Sequence, residues 1–231
     1  MKKLLIIISA TVAMLLGCWG RVIESSYYQL DYVPTPKEML EETSSQYTVR
    51  IKDFNVAEAY RRNNIVYRQS PYKLHFYNYD LWAVKLEYMI PDMFFRHLDA
   101  AKIFSEVRRG MDMDESDYTI SGTIRAIEEY DNQDEWYAHL AMNINLQESR
   151  SRRTLWSKEW DYRKKVSNLE TIYVVRGLSE LLEYIHNEAI ADIDSVIRAQ
   201  VGGVKQAGTY KNVPLTNSVE METLPPPGEI K

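Results

Sequence analysis

The chain has 231 residues, with 28 lysines and arginines against 33 aspartates and glutamates, for a net charge of −5. This balance leaves no basic excess for binding a nucleic acid, and 45% hydrophobic residues are too many for a disordered chain. The seventeen tyrosines favour strands over a helical bundle. The composition therefore predicts a folded domain with a substantial sheet.

The N-terminus has the layout of a secretory signal. Lys2 and Lys3 precede residues 4–16, which carry no charge, and Gly17-Cys18 follow directly. This apolar run falls within the roughly 7–15 residues of a signal peptide and short of the roughly 20 needed to span a bilayer. We expect residues 1–17 to be a signal peptide, whose removal would leave a net charge of −7.

The end of this run resembles the bacterial lipoprotein box, in which the cysteine is acylated with chains such as palmitate and becomes the first mature residue. The box would be Leu15-Leu16-Gly17-Cys18. Because Cys18 is the only cysteine, it can form no disulfide within one chain, and acylation would consume a thiol that is otherwise reactive in an oxidising compartment. The alternative is an ordinary signal peptide followed by an incidental cysteine. We predict lipidation of Cys18 and a tether over residues 18–26.

Four strands are predicted after the tether. Residues 27–32 form the first, which ends before Pro34, and residues 47–56 alternate as a second strand with one buried face. Residues 65–68 and 73–79 form a hairpin through the reversal at Ser70-Pro71. A polar connection over 57–63 joins the two pairs.

The period then changes to that of a helix, which runs from after Trp82 to about Phe104. Pro91 lies inside this pattern, so the helix either kinks there or begins there, and we favour the kinked helix. A short strand over 103–107 and an acidic turn over 111–116 follow.

The second half predicts a three-stranded antiparallel meander over 117–165, covered by one long helix. Ser167 and Glu170 have capping-box spacing, and the apolar residues then recur every three or four positions as far as Gly202-Gly203. We therefore predict a mixed α/β (α+β) fold: a largely antiparallel sheet, a middle helix and a long C-terminal helix in a single domain over 27–201. We predict that the remaining residues, 202–231, form a disordered tail.

No motif indicates an enzyme, a cofactor or a metal site. The histidines fall in four different elements without ligand spacing, and we interpret His97 and His139 as surface or boundary residues. The acidic group at a predicted hairpin turn is interpreted as a solvated loop, and the basic group as a solvated turn or, alternatively, a docking surface for an acidic partner. The histidines are His75, His97, His139 and His186; the acidic group is Glu128, Glu129, Asp131, Asp134 and Glu135; the basic group is Arg150, Arg152 and Arg153.

Aromatic residues are dense in the predicted hairpin and just beyond it. Core packing is one interpretation, but alternate positions of a strand point to opposite faces, so one aromatic face is left for solvent or for a partner. The candidate partner contacts are Tyr67, Tyr77, Tyr79 and Trp82.

Several of these segments together resemble the auxiliary lipoproteins of ABC-type transport systems, a family that includes paraquat-inducible protein C. The resemblance covers roughly residues 18–198 and is strongest over 48–104. It is carried by the box ending in Cys18, by Tyr27-Tyr28-Gln29-Leu30, by Val49-Arg50-Ile51 through Tyr60, by Asn64-Ile65-Val66-Tyr67-Arg68 through Leu74, and by Trp82-Ala83.

The resemblance implies a non-enzymatic component of a lipid transport machine built from an ATPase, a permease and a periplasmic substrate-binding protein with a mammalian-cell-entry domain. It places the protein at the periplasmic face of the outer membrane, and Trp19 after Cys18 agrees with that sorting. Two alternatives stay open: a carrier that binds phospholipid in an apolar cavity between the long helix and the meander, and an outer-membrane or cell-wall assembly lipoprotein. A homo-oligomer also stays open.

Overall fold

The structure, a computed structural model, describes residues 23–34, 45–110, 116–132, 135–168, 170–201 and 221–223. Within these ranges the chain forms ten strands, two α-helices and a short 3-10 helix. The strands are β1 (Ser26–Tyr28), β2 (Ser45–Ile51), β3 (Asn55–Val56), β4 (Asn64–Ser70), β5 (Lys73–Trp82), β6 (Phe104–Arg109), β7 (Tyr118–Asn132), β8 (Glu135–Glu148), β9 (Thr154–Val166) and β10 (Met221–Thr223). The helices are α1 (Leu86–Ala100), α2 (Thr171–Val201) and the 3-10 helix Glu58–Tyr60.

The long strand β7 organises the sheet. One edge of β7 pairs along its whole length with β8, which pairs in turn with β9 in the antiparallel meander that the alternating pattern predicts. Along its other edge, β7 pairs with β2, then β3, then β4, and all three run parallel to it. β6 and β5 then extend the sheet beyond β2 and β4. The mixed α+β fold is thus confirmed.

Helix α2 covers one face of the meander. This face of β8 presents alternating, fully buried side chains (Leu140, Met142, Ile144 and Leu146), and α2 meets them with a stripe of fully buried leucine and isoleucine (Leu178, Leu182, Ile185 and Ile193). The contact is close at Gly177, where an added Cβ would lie 2.8 Å from the Cβ of Ala138. A glycine here lets the helix backbone approach the strand directly.

The start of α2 corrects the predicted capping box. The helix begins at Thr171, four residues after Ser167, because Val166 is still paired with Trp136 in the sheet and the chain needs the intervening residues to turn. The hydroxyl of Thr171 donates to Asp80 at 2.6 Å, so the first turn of α2 is attached to β5.

We expect Gly177→Ala to lower the free energy of unfolding by up to about 2 kcal/mol. Overpacking against Ala138 costs about 1–3 kcal/mol, which exceeds the roughly 1 kcal/mol that alanine gains over glycine in a helix. Urea unfolding measures the change. The cost should shrink in an Ala138→Gly background, where the opposing methyl is removed, and an equal cost in both backgrounds would contradict this packing.

Helix α1 contains Pro91 in its interior, so it starts before the proline, as in the favoured prediction. Proline has no N–H to bond the carbonyl four residues earlier, and that carbonyl, of Glu87, instead accepts from the N–H of Phe54 at 3.3 Å. The hydrogen-bonding group that the proline leaves free thus joins α1 to the segment before β3. The helix ends at Ala100, a few residues earlier than predicted.

Several predictions fall outside the described residues, including the signal peptide, Cys18, most of the tether and most of the acidic 111–116 turn. Of the tail that we predicted to be disordered, the described residues Met221–Thr223 depart from that prediction, since they pair antiparallel with β9 as β10. No helix in the described ranges is both long and apolar enough to cross a membrane.

Candidate functional site

The β4–β5 hairpin brings together three of the four tyrosine and tryptophan residues predicted as partner contacts. Tyr67 stacks on His75, with ring centroids 4.8 Å apart and planes at 10°, and the ring centroid of Tyr77 lies 4.7 Å from that of Tyr67. Tyr79 is further along β5 and is 45% exposed. The hairpin therefore holds a packed aromatic group with an exposed tyrosine beside it.

The prediction that Trp82 contacts a partner is wrong. Trp82 is only 2% exposed, and its backbone pairs with Tyr28 of β1 while its N–H donates to the carbonyl of Asn63. The indole is part of the core, and the β4–β5 register shifts between the pairs Asn64–Leu81 and Val66–Phe76.

Tyr77 connects the aromatic group to a buried acid on β7. Its hydroxyl donates to Glu129 at 2.9 Å, and Glu129 is only 3% exposed. Burial raises the pKa of Glu129, and the negative charges of Asp131 and Asp80 raise it further, while the bond from Tyr77 offsets part of this. Burial also raises the pKa of Tyr77. Tyr77 is thereby oriented as a donor toward the sheet.

The neighbouring residue, Glu128, is the centre of a charged network on the opposite face of β7. Its carboxylate accepts from the Tyr60 hydroxyl at 2.6 Å, from Arg68 Nε at 2.7 Å and from His139 Nδ1 at 3.0 Å. His139 Nε2 lies 2.8 Å from Asp161 Oδ1. With both ring nitrogens facing carboxylates, a doubly protonated imidazole satisfies both contacts.

The charges in this network balance. Burial lowers the pKa of His139, but the hydrogen bonds to Asp161 and Glu128 outweigh it and the net pKa is raised. Burial likewise raises the pKa of Glu128, but the donors His139, Arg68 and Tyr60 reverse the sign and the net pKa is lowered. Two carboxylates thus face one guanidinium and one imidazolium.

Our interpretation of Glu128 and Glu129 as part of a solvated loop is therefore wrong, as is that of His97 and His139 as surface or boundary residues. The two glutamates are 1% and 3% exposed and the two histidines 3% and 7%. The glutamates lie inside β7, which continues to Asn132. Glu128 is contacted from β4 and the 3-10 helix, and Glu129 from β5. No local pattern reveals this contact, because it depends on the parallel pairing of β4 with β7.

We expect His139 to make stability pH-dependent on the alkaline side. A raised folded pKa means that the protonated ring stabilises the fold, so this contribution is complete below the usual value near 6.5 and is lost as pH rises through the folded pKa. From pH 6 to pH 9, the free energy of unfolding should decrease more for the wild type than for His139→Gln. Equal slopes for the two proteins would contradict the network.

A second buried cluster fixes the segment that follows β1. The hydroxyl of Tyr32 is hydrogen-bonded to Nδ1 of both His97 on α1 and His186 on α2, and the N–H of Asp31 donates to Ser179 at 3.2 Å. Burial lowers the pKa of both histidines, so the cluster is neutral. It joins the N-terminal segment to both helices.

Among the described residues, no group of three or more His, Cys, Asp or Glu side chains is placed to hold a metal ion. The charged side chains at the centre of the sheet instead satisfy one another, as Arg68 and His139 do with Glu128. This arrangement attaches the β4–β5 hairpin to β7 through Arg68 and Tyr77.

The family comparison agrees with this geometry. Residues 28–190 match the model of the ABC-type transport auxiliary lipoprotein component. The chain belongs to this family. The matched segment begins at the end of β1 and includes the hairpin, the Glu128 network and most of α2, while Cys18 precedes it.

Solved structures share the fold of this auxiliary lipoprotein. Protein XCC0632 from Xanthomonas campestris is 18% identical, with a TM-score of 0.67 over 76% of this chain and 99% of that one. A second structure, of an uncharacterized protein, is 14% identical, with a TM-score of 0.60 over 74% and 99% of the two chains. At these identities the likeness shows the fold alone. Among curated protein sequences, none matches this chain.

The interface between α2 and the meander bears on how this auxiliary lipoprotein could handle a lipid. The facing side chains of β8 and α2 have no exposed surface, and the approach at Gly177 leaves less than a methyl group of space. The helix and the meander are therefore in direct contact at this point.

Proposed function

We propose that this protein is a lipid-anchored docking component of an ABC-type lipid transport system, held at the periplasmic face of the outer membrane through Cys18. The observation that carries the proposal is the family match over residues 28–190. The lone cysteine at the end of a signal-like apolar run supports the anchor.

The mechanism is positional, with no bond made or broken. An acyl anchor on Cys18 confines the domain to a membrane surface and so raises the effective concentration of a partner that reaches the same surface. The partner that we infer, from the resemblance, is the periplasmic mammalian-cell-entry-domain substrate-binding protein of the transport system.

The β4–β5 hairpin is the contact surface that we favour for this partner. Tyr79 is exposed at 45%, and the neighbouring Tyr67 and Tyr77 are already held by ring stacking and by Glu129. Aromatic side chains with fixed rotamers lose little entropy on binding and are enriched in protein contacts. A pre-organised group of this kind suits docking better than chemistry.

Docking is favoured over lipid carriage by the packing under α2. A carrier needs a cavity that buries most of its ligand, whereas the helix and the meander are in direct contact at Gly177 and Ala138. Native mass spectrometry of the soluble domain separates the two functions: co-purifying phospholipid would favour the carrier.

Site-specific cross-linking in cells tests the proposed partner. A photo-reactive amino acid at position 79 should capture the substrate-binding component of the ABC system, identified by mass spectrometry. Position 88 is the matched control, because Tyr88 is 44% exposed but lies in the first turn of α1, and it should not capture that component. Capture at position 79 of only peptidoglycan-synthesis or secretion proteins would overturn the proposal.

A further inference from the structure

The tip of the β4–β5 hairpin exposes a tyrosine almost completely. Ser70 pairs with Lys73, so the turn between them is Pro71-Tyr72, and Tyr72 is 96% exposed. The guanidinium of Arg68 donates to the carbonyl of Pro71 at 3.0 Å and is itself bound to Glu128. The ring is therefore presented by a turn that is fastened to the buried network.

The strand that leads in from the tether shows which way this tip points. β1 pairs parallel with β5, in the pairs Ser26–Asp80, Tyr27–Leu81 and Tyr28–Trp82. A chain that enters a parallel strand comes from the side on which its neighbour begins, and β5 begins at the hairpin tip. Each pair is 54 positions apart. Because positions 18 and 72 have the same separation, a tether fully extended in line with β1 would end no further than the level of Tyr72.

The length of the tether limits how far Cys18 can lie from the hairpin tip. The eight residues from Cys18 to Ser26 can span at most about 26–29 Å, and eight residues of strand from Tyr72 to Asp80 span about 27 Å. Cys18 cannot lie much beyond the hairpin tip along the axis of these strands. A membrane that holds Cys18 at the far end of the tether is then within reach of the tip.

We propose that Tyr72 at the tip of the β4–β5 hairpin contacts the headgroup region of the same bilayer that holds Cys18. The inference rests on the proposed acylation of Cys18 and adds a second contact, which fixes the orientation of the domain. Tyrosine, with an apolar ring and a polar hydroxyl, is a preferred side chain of membrane interfaces.

The charges near the tip are compatible with a phospholipid surface. Lys73, directly after Tyr72, is exposed and can approach a lipid phosphate. The β7–β8 turn lies at the same end of the sheet, since β4 and β7 run parallel, and its Glu135 is paired with Lys165. At this end a bilayer would meet Tyr72, Lys73 and the Glu135–Lys165 pair, with Asp131 nearby on β7 and hydrogen-bonded to Gln69.

The opposite end of the sheet is then turned away from the membrane. β8 runs antiparallel to β7, so the β8–β9 turn lies at the far end of these strands, about 45 Å from the β7–β8 turn for strands of this length. Arg150, Arg152 and Arg153 are exposed in that turn.

Fluorescent labelling of single cysteines tests the inference. Acylation consumes the thiol of the only native cysteine, so Tyr72→Cys and, as the control at the opposite end, Arg150→Cys each give one reactive thiol in the full-length lipoprotein. Both positions are exposed, so neither change disturbs the core. An environment-sensitive label is attached to each, and the proteins are placed in vesicles of phosphatidylethanolamine and phosphatidylglycerol.

The label at position 72 should shift its emission to the blue and be quenched several-fold more by a headgroup-attached quencher than the label at position 150. Vesicle-bound protein with both labels in water, or with only position 150 in lipid, would overturn the contact while leaving the anchor intact. Protein that does not sediment with the vesicles would instead contradict the anchor, and with it the contact.

Discussion

Replacing Glu128 by alanine is expected to lower the free energy of unfolding by about 3–5 kcal/mol, because removing one partner of a buried ion pair leaves the other charges uncompensated. Glu128 is 1% exposed and accepts from Tyr60, Arg68 and His139. Without it, Arg68 loses its carboxylate partner and His139 keeps only Asp161. Urea unfolding at neutral pH measures the loss.

Glu159→Ala is the matched control for this variant. Glu159 lies on β9, also pairs with an arginine, Arg125, at 3.2 Å, and is 66% exposed. An exposed pair of this kind contributes about 0–1 kcal/mol, so the control should change little. A Glu128→Ala protein as stable as Glu159→Ala would show that the network does not support the sheet.

Replacing Trp82 by alanine should also cost about 3–5 kcal/mol, the range for deleting a buried aromatic side chain. The indole is 2% exposed, at the point where β5 meets β1. Tyr79→Ala, three residues earlier on the same strand and 45% exposed, should stay within about 0.5 kcal/mol of the wild type. A mild effect of Trp82→Ala on unfolding would contradict this role of the indole in the core.

The helices and the meander could be predicted from the sequence because their signals are local. The two-residue period of Ala138, Leu140, Met142 and Ile144 defines β8, and the spacing of three or four over Leu178, Leu182, Ile185 and Ala189 defines α2. Both periods follow from backbone geometry alone. Pro91 was ambiguous for the same reason, since a proline is compatible with the interior of a helix or with its first turn.

The parallel pairings could not be predicted, and the Glu128 network depends on them. β4 and β7 are joined through Tyr67–Glu129 and Arg68–Tyr130, residues about sixty positions apart. No periodicity within either strand encodes that register. Charged residues beside a predicted turn are usually solvated. The sequence therefore favours a loop for Glu128 and Glu129.

The hairpin shows how a functional surface can depend on a structural network. Arg68 connects the buried Glu128 to the exposed turn at Pro71, and Tyr77 connects Glu129 to the aromatic group. Both glutamates of β7 thus fix the hairpin, one from each face of the sheet. A change at Glu128 should therefore affect the position of the tip as well as stability.

The intact mass of the protein extracted from membranes tests the proposed anchor most directly. We expect a mature chain that begins at Cys18 and is heavier than residues 18–231 by the mass of a diacylglyceryl group on the Cys18 thiol and any further acyl chain. A chain that begins at another residue, or one with an unmodified Cys18, would contradict it.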